Sequence, residues 1–271
     1  MYVGVDIGGS KTLLAVLNDK GEIVERLKFL TPDTYSSFLS ELRRASGTLT
    51  HQDFKAGAAG APGKIDRNRG IVLGFGNLDW KDVTLEADLE KIFGCPIVIE
   101  NDANLAGLSE AMLLPDYPKV LYVTISTGIG TGIIFKQAID PSLADSEGGQ
   151  MLLQYAGKLA TWESFASGKA IVKRYGKQAH EIKDAETWRH IARDLSQGFI
   201  ELIAIAQPDV IVIGGSVGTY FAHYKEALEK ELEKFENPVV SIPPLRQAAR
   251  PEEAVIYGCY DLARQIYGYA N

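Results

Sequence analysis

The sequence predicts an α/β protein of two related domains, and three observations carry that prediction. Apolar, β-branched runs of strand length alternate with stretches of helical spacing along the whole chain. A strand–glycine–strand unit occurs twice, as "YVGVDIGGSK" from Tyr2 and "YVTISTGIGT" from Tyr122, an offset of 120 residues. Between the two, "PDYP" at 115–118 breaks the pattern and marks a hinge. A chain of 271 residues suits roughly two domains. The expected division is 1–116 and 117–271, with the last helix a candidate to pack back on the first domain.

The elements follow in order. Residues 2–7, 12–17 and 22–29 read as strands, with Asn18-Asp19-Lys20-Gly21 as a turn. Apolar residues at 35, 38, 39 and 42 have helical spacing, so 34–46 is a helix. Residues 54–63 give a strand running into a glycine-rich loop. A helix over 82–94 stops at Gly94. A buried strand at 95–101 and a helix at 102–114 complete the first half. The second opens with the glycine-bent strand pair of 119–136, followed by a less regular stretch over 138–161. Helices are expected at 162–175 and 185–206, a strand entering glycines at 208–215, and a helix at 217–235. A short strand at 238–241 and a helix at 252–268 end the chain.

Composition narrows the function. Net charge is −7 and the 28 Lys and Arg form no basic stripe, which disfavours nucleic acid and anionic membrane as partners. No apolar run approaches the roughly 20 residues that span a bilayer, and no secretory signal precedes the first strand. Cys95 and Cys259 stand alone, which suits a reducing cytoplasm. His51, His180, His190 and His223 have no metal-ligand spacing; His180 and His190 are expected in solvent.

Several stretches could carry chemistry. Gly8-Gly9-Ser10-Lys11 joins two strands, so it is neither a Walker loop nor a Rossmann turn. It reads as a plain hairpin or as a turn aiming N–H groups at an anion, the glycines permitting positive φ. Thr127-Gly128-Ile129-Gly130 repeats the device, and two such turns facing a cleft could grip a polyphosphate. Asp6 could hold a water on phosphate-bound Mg²⁺. Glu100-Asn101-Asp102 lies where a strand gives way to a helix, which suits a capping cluster or a site for vicinal hydroxyls. Gly214-Gly215 follows a strand and reads as a strand–helix turn or as bare backbone beneath a nucleoside.

Taken together, "VDIGGSK", "AAGAPGKID", "IENDANLAGLSE", "STGIGTG" and "IVIGGSVG" resemble, in order and spacing, the ROK sugar kinases of the actin-like and hexokinase-like ATPase superfamily. The likeness runs from Asp6 to about Ala263. It implies two ribonuclease H-like domains with a cleft between them, and a cytoplasmic kinase using ATP and Mg²⁺. By this resemblance Gly8, Gly9, Ser10, Lys11 and Thr12 are the first phosphate loop. Thr127 and Gly128 are the second, and Gly214 and Gly215 the adenosine-side motif. Asn101 and Asp102 are the sugar-holding pair, with Asp102 as catalytic base; Gly60 and Asn77 fall where family members touch the sugar. A homodimer is the family habit.

One region departs from the family pattern. Members carry Glu-x-Gly-His and then three cysteines that hold zinc with the histidine. Here the run is "EGGQMLLQYAGKLATWESFASG", 147–168. Glu147 and Glu163 match as sugar contacts, Gln150 stands at the histidine position, and no Cys or His occurs in the run. No zinc is therefore expected, and Leu152, Leu153, Tyr155 and Trp162 are the expected apolar anchors. The resemblance implies transfer of phosphate from ATP to a hexose, glucose at its 6-hydroxyl by default. Mannose, fructose, allose, N-acetylmannosamine and N-acetylglucosamine stay open as acceptors, and polyphosphate as donor. A sugar-binding regulator without turnover is the rival of another class; a repressor would need a DNA-binding segment ahead of Tyr2. A carboxylate at a helix N-terminus is expected to have a lowered pKa, making Asp102 a weak base.

Overall fold

The computed structural model describes residues 1–76, 78–250 and 252–268. It divides into two compact units, Met1–Ser109 with Glu253–Asn271, and Glu110–Glu252.

The first unit begins with the hairpin of β1 (Tyr2–Ile7) and β2 (Lys11–Leu17), to which β3 (Ile23–Leu30) adds antiparallel. β3 alternates half-buried and exposed residues, as a strand with one wet face does. α1 (Tyr35–Ser46) starts where Thr34 Oγ1 accepts from the Ser37 N–H at 3.3 Å, and it buries Phe38 and Leu42. β4 (Ala56–Ala61) runs parallel to β1 and is buried throughout. Its small residues follow from close packing: a Cβ on Gly57 would lie 2.5 Å from Val3 Cγ1. β5 (Gly63–Asp66), β6 (Ile71–Phe75) and β7 (Lys81–Val83) form a small antiparallel sheet that the sequence pattern does not announce. α2 (Leu85–Phe93) ends at Gly94, whose φ of +68° is the left-handed helix stop that glycine favours. β8 (Ile97–Asn101) runs parallel to β4 and passes directly into α3 (Asp102–Met112). The main sheet has the order β3-β2-β1-β4-β8.

The second unit repeats this plan. β9 (Lys119–Ile125) and β10 (Ile129–Phe135) form the hairpin, and β11 (Ala138–Ile139) extends it antiparallel. The stretch expected to be irregular contains a 3₁₀ turn at Gly148–Gln150 and the hairpin of β12 (Leu152–Tyr155) and β13 (Lys158–Thr161). The helix expected over 162–175 is two, α4 (Trp162–Ala166) and α5 (Gly168–Tyr175), because Ser167 between them is extended and caps the second. α6 (Ala185–Ala206) starts at Asp184, whose carboxylate accepts from the Thr187 N–H at 2.8 Å. β14 (Val210–Gly214) lies parallel to β9 and leads into the single turn α7 (Gly215–Gly218). The helix expected over 217–235 survives only as α7 and α8 (Lys225–Glu233). The strand expected at 238–241 is an isolated bridge between Asn237 and Val240; the edge of β14 is taken instead by β15 (Leu245–Gln247). The sheet order β11-β10-β9-β14-β15 has the same antiparallel and parallel sequence as the first.

α9 (Ala254–Tyr267) closes the chain and packs on β1 and β4 of the first unit. Each unit has its own core, one around Val5, Leu14, Phe38 and Ile99, the other around Val123, Trp162, Phe199 and Ile211. Among the described residues no helix is long and apolar enough to cross a membrane.

Candidate active site

In the first unit the expected residues gather where β1, β4 and β8 end. Asp6 is in register with Gly60, and Gly60 with Glu100, so the three form a row across the parallel strands. Gly60 is buried, and its missing side chain is a matter of clearance. A Cβ there would lie 2.5 Å from Val255 Cγ1 and 3.7 Å from Asp102 Cα. Glycine at position 60 therefore makes room for Val255 and Leu105, with Asp102 in ordinary contact.

The turn after Asp6 is built from backbone. The Gly8 N–H donates to Lys11 O at 3.0 Å, and the Thr31 N–H to Ser10 O at 3.1 Å. A Cβ on Gly8 would lie 2.8 Å from Lys11 O. Gly8 does not have positive φ, so its role is close approach and not a left-handed turn. Ser10 and Lys11 are exposed and Gly9 half-buried. Thr12 corrects its expected role. It is fully buried, its hydroxyl is 2.9 Å from that of Thr31, and Thr31 Oγ1 donates to Gly8 O at 2.7 Å. Thr12 braces the turn from behind.

Asn101, not Asp102, caps α3. Its Oδ1 accepts from the N–H groups of Ala103 at 2.9 Å and Asn104 at 3.3 Å. Asp102 Oδ1 also accepts from Ala103, at 2.9 Å. Both Asp6 and Asp102 are half-buried by surface, deep enough for their ionised forms to be poorly solvated. Burial pushes Asp6 up to about 7; the Asp102 charge adds to the rise and Lys28 opposes it. Burial also raises Asp102, against the N–H bond from Ala103. The lowered pKa expected from the helix N-terminus is not found, because desolvation outweighs the backbone N–H bonds that lower it. Asn77 lies outside the described residues.

The second unit assembles its residues around the turn between β9 and β10. Thr127 is exposed there, and the Ser126 N–H closes the turn on Gly128 O at 2.9 Å. Glu163 reaches this turn from α4. Its Oε2 accepts from the Ile129 N–H at 3.3 Å, and a Cβ on Gly128 would lie 2.7 Å from that oxygen. Gln150 Nε2 donates to the other oxygen, Oε1, at 2.8 Å. Gln150 and Glu163 are therefore brought together, with Glu147 at the N-cap of the same 3₁₀ turn. That turn lies flush on β10: the Gly148 N–H donates to Thr131 Oγ1 at 3.0 Å, and a Cβ on Gly149 would fall 2.0 Å from Ile129 O.

Ser126 is a residue that sequence reasoning missed. Its carbonyl accepts from the Gly168 N–H at 2.7 Å and its hydroxyl from the Ser216 N–H at 3.1 Å. It ties the glycine turn to the starts of α5 and α7. Gly215 beside it has φ +81°, and a Cβ there would lie 2.6 Å from Ile125 O. Gly214 leaves room for the Tyr122 hydroxyl, 2.3 Å from where its Cβ would be. The position of Ser126 just before Thr127-Gly128 was the available signal.

Among the described residues no group of three or more His, Cys, Asp or Glu side chains is arranged to hold an ion. Trp162 is fully buried, and Tyr155 stacks on Phe165 with ring centres 4.1 Å apart. Leu153 packs partly against the core, but Leu152 is 65% exposed and does not serve as the anchor expected of it.

Three comparisons bear on this arrangement. The sequence profile of the ROK family matches residues 2–266. A glucokinase of Streptomyces coelicolor is 27% identical over 261 residues, covering 80% of this chain and 82% of that protein. An N-acetyl-D-glucosamine kinase of Vibrio parahaemolyticus is 27% identical over 304 residues, covering 95% and 98%. Among solved structures, a ROK family glucokinase from Streptomyces griseus in complex with glucose and AMPPNP superposes with a TM-score of 0.83. It is 26% identical and the match covers 97% of this chain and 99% of that one.

Proposed function

The chain belongs to the ROK family, and on that premise we propose that it is an ATP-dependent hexose kinase acting in the cytoplasm. The observation that carries the reading is the placement of Asp102. Asn101 takes over the cap of α3, and burial raises the basicity of a carboxylate held at the end of β8. In this reading Asp102 accepts the proton of the attacking sugar hydroxyl. A raised pKa strengthens it as a base, although a loose phosphoryl-transfer transition state asks mainly for positioning and charge stabilisation.

The backbone of Gly9 and Ser10, with Lys11, would take phosphate oxygens of the donor, as would Thr127 and Gly128, while Gly8 shapes the turn through its bond to Lys11 O. Gly214 and Gly215 would lie along the nucleoside. The donor set fits a nucleotide-bound Mg²⁺ at Asp6, a desolvated carboxylate whose ionised form a cation would stabilise. Such a cation, held through water, would neutralise phosphate charge. Asn101, Asp102, Glu147, Gln150 and Glu163 are the proposed sugar contacts. The Gln150–Glu163 bond leaves the carboxylate oriented by two donors without a metal.

Glucose at its 6-hydroxyl is the first acceptor to test, supported by the glucokinase relative and by the glucose held in the structural neighbour. N-acetylglucosamine is second, because the kinase of that sugar aligns over 95% of the chain. A coupled ADP-release assay across hexoses and N-acetylhexosamines, repeated with inorganic polyphosphate as donor, tests the proposal. Turnover of one sugar with ATP is expected. Sugar binding with no turnover under any donor would favour a non-catalytic regulator.

A further inference from the structure

We propose that Arg67 is a positioning residue for phosphoryl transfer, acting on Asp102 through Glu100 and the first turn of α3. This rests on the kinase reading above. Glu100 is the penultimate residue of β8, and its side chain is 6% exposed. Arg67, on the turn between β5 and β6, grips it on both oxygens: Nε to Oε2 at 2.7 Å and Nη2 to Oε1 at 2.5 Å. Oε1 also accepts from the Asn101 N–H at 2.7 Å and from Asn104 Nδ2 at 3.0 Å. Asn101 and Asn104 flank Asp102 in sequence, and the Asn104 N–H returns to Asn101 Oδ1. One buried carboxylate thus holds both ends of the turn that carries the proposed base.

A two-pronged guanidinium fixes the plane of a carboxylate, which a point charge does not. Fixing that plane fixes Oε1, and through it Asn101 and Asn104. Removing Arg67 would leave a buried carboxylate without its countercharge, so that Glu100 relaxes toward solvent and takes the turn with it. Phosphoryl transfer depends on placement, and a displacement of about 1 Å can cost about 10²-fold in rate. The pair joins residues 33 positions apart and lies outside the apolar core clusters, so its consequences should fall on the turn before they fall on the fold.

The test uses the full chain with two variants, Arg67→Met and Arg67→Lys. Amide hydrogen exchange at Ala103 and Asn104 reads the clamp whether or not the protein turns over. Exchange at least about tenfold faster is expected in Arg67→Met. In the same protein kcat should fall about 10- to 100-fold while KM for ATP stays within about threefold. Arg67→Lys keeps the charge without the fork and should lie between, and it decides the matter if the methionine variant does not fold. Unchanged exchange at these amides, or kcat within about twofold of wild type in a folded variant, overturns the proposal. So does a parallel loss of kcat, ATP KM and melting temperature, which marks a merely structural pair. A wild type that phosphorylates no sugar with any donor overturns the kinase reading and the catalytic half of this one. The exchange measurement separates that failure from a failure of the clamp.

Discussion

Asp6 ties the stability of the empty protein to pH. Its carboxyl is raised from 3.8 to about 7, chiefly by burial and then by the charge of Asp102. The sign follows from proton counting. Between those values the folded state holds a proton that the unfolded state has released, so this group's contribution to stability falls as pH rises. At about 1.4 kcal/mol per pH unit the loss reaches about 4 kcal/mol above pH 7. Asp6→Asn cannot ionise and escapes it. The variant should match wild type near pH 4 and become progressively more stable, by up to about 4 kcal/mol at pH 8. Urea unfolding of both proteins at several pH values, without nucleotide or divalent cation, measures the gap directly. A gap that is absent at pH 8, or is constant from pH 4 to pH 8, would refute the reasoning. Asp6 would then be solvated well enough to ionise normally.

Other perturbations have definite outcomes. Gly149→Ala would put a methyl 2.0 Å from Ile129 O, so the 3₁₀ turn must lift off β10. A loss of about 1–3 kcal/mol in chemical denaturation and a weakened sugar affinity are expected, and a neutral variant would contradict that packing. Gly9→Val should raise the KM for ATP strongly in a folded protein, because a branched side chain would occupy the outer face of the turn; an unchanged KM would make the turn merely structural. Elemental analysis should find far less than about one zinc per chain, and a chelator should leave the melting temperature alone, since Trp162 and the Tyr155–Phe165 stack hold this region.

Much of the fold is legible because its signals are local. The glycine-bent hairpins and the Gly94 stop are written in a few adjacent residues, and β1, β2 and α6 form where the pattern puts them. The misses are tertiary. The stretch at 238–241 reads as a strand, yet β14 is paired on that side by Leu245–Gln247. The helix over 162–175 breaks at Ser167 because the next residue, Gly168, donates to Ser126 O, 42 positions away. The site divides in the same way. Asn101 and Asp102 are visible as a cap-like pair, but which one caps depends on where Asn101 Oδ1 points. The pKa of Asp102 goes against the sequence expectation because a helix terminus is local and burial is not. Arg67 gives no sequence signal at all, since its partner enters from another strand.

The central claim is that Asp102 is the base of a hexose kinase, and Asp102→Asn tests it most directly. Asparagine keeps the size of the side chain and an oxygen for the Ala103 N–H, and Asn101 already supplies the cap. Loss of the base should lower kcat by about 10²–10⁴-fold. The melting temperature should hold or rise, because a poorly solvated carboxylate has been removed. Sugar affinity, measured by calorimetry on the same preparation, should change far less than kcat. Turnover within about threefold of wild type, well inside the range for loss of a general base, would contradict the account.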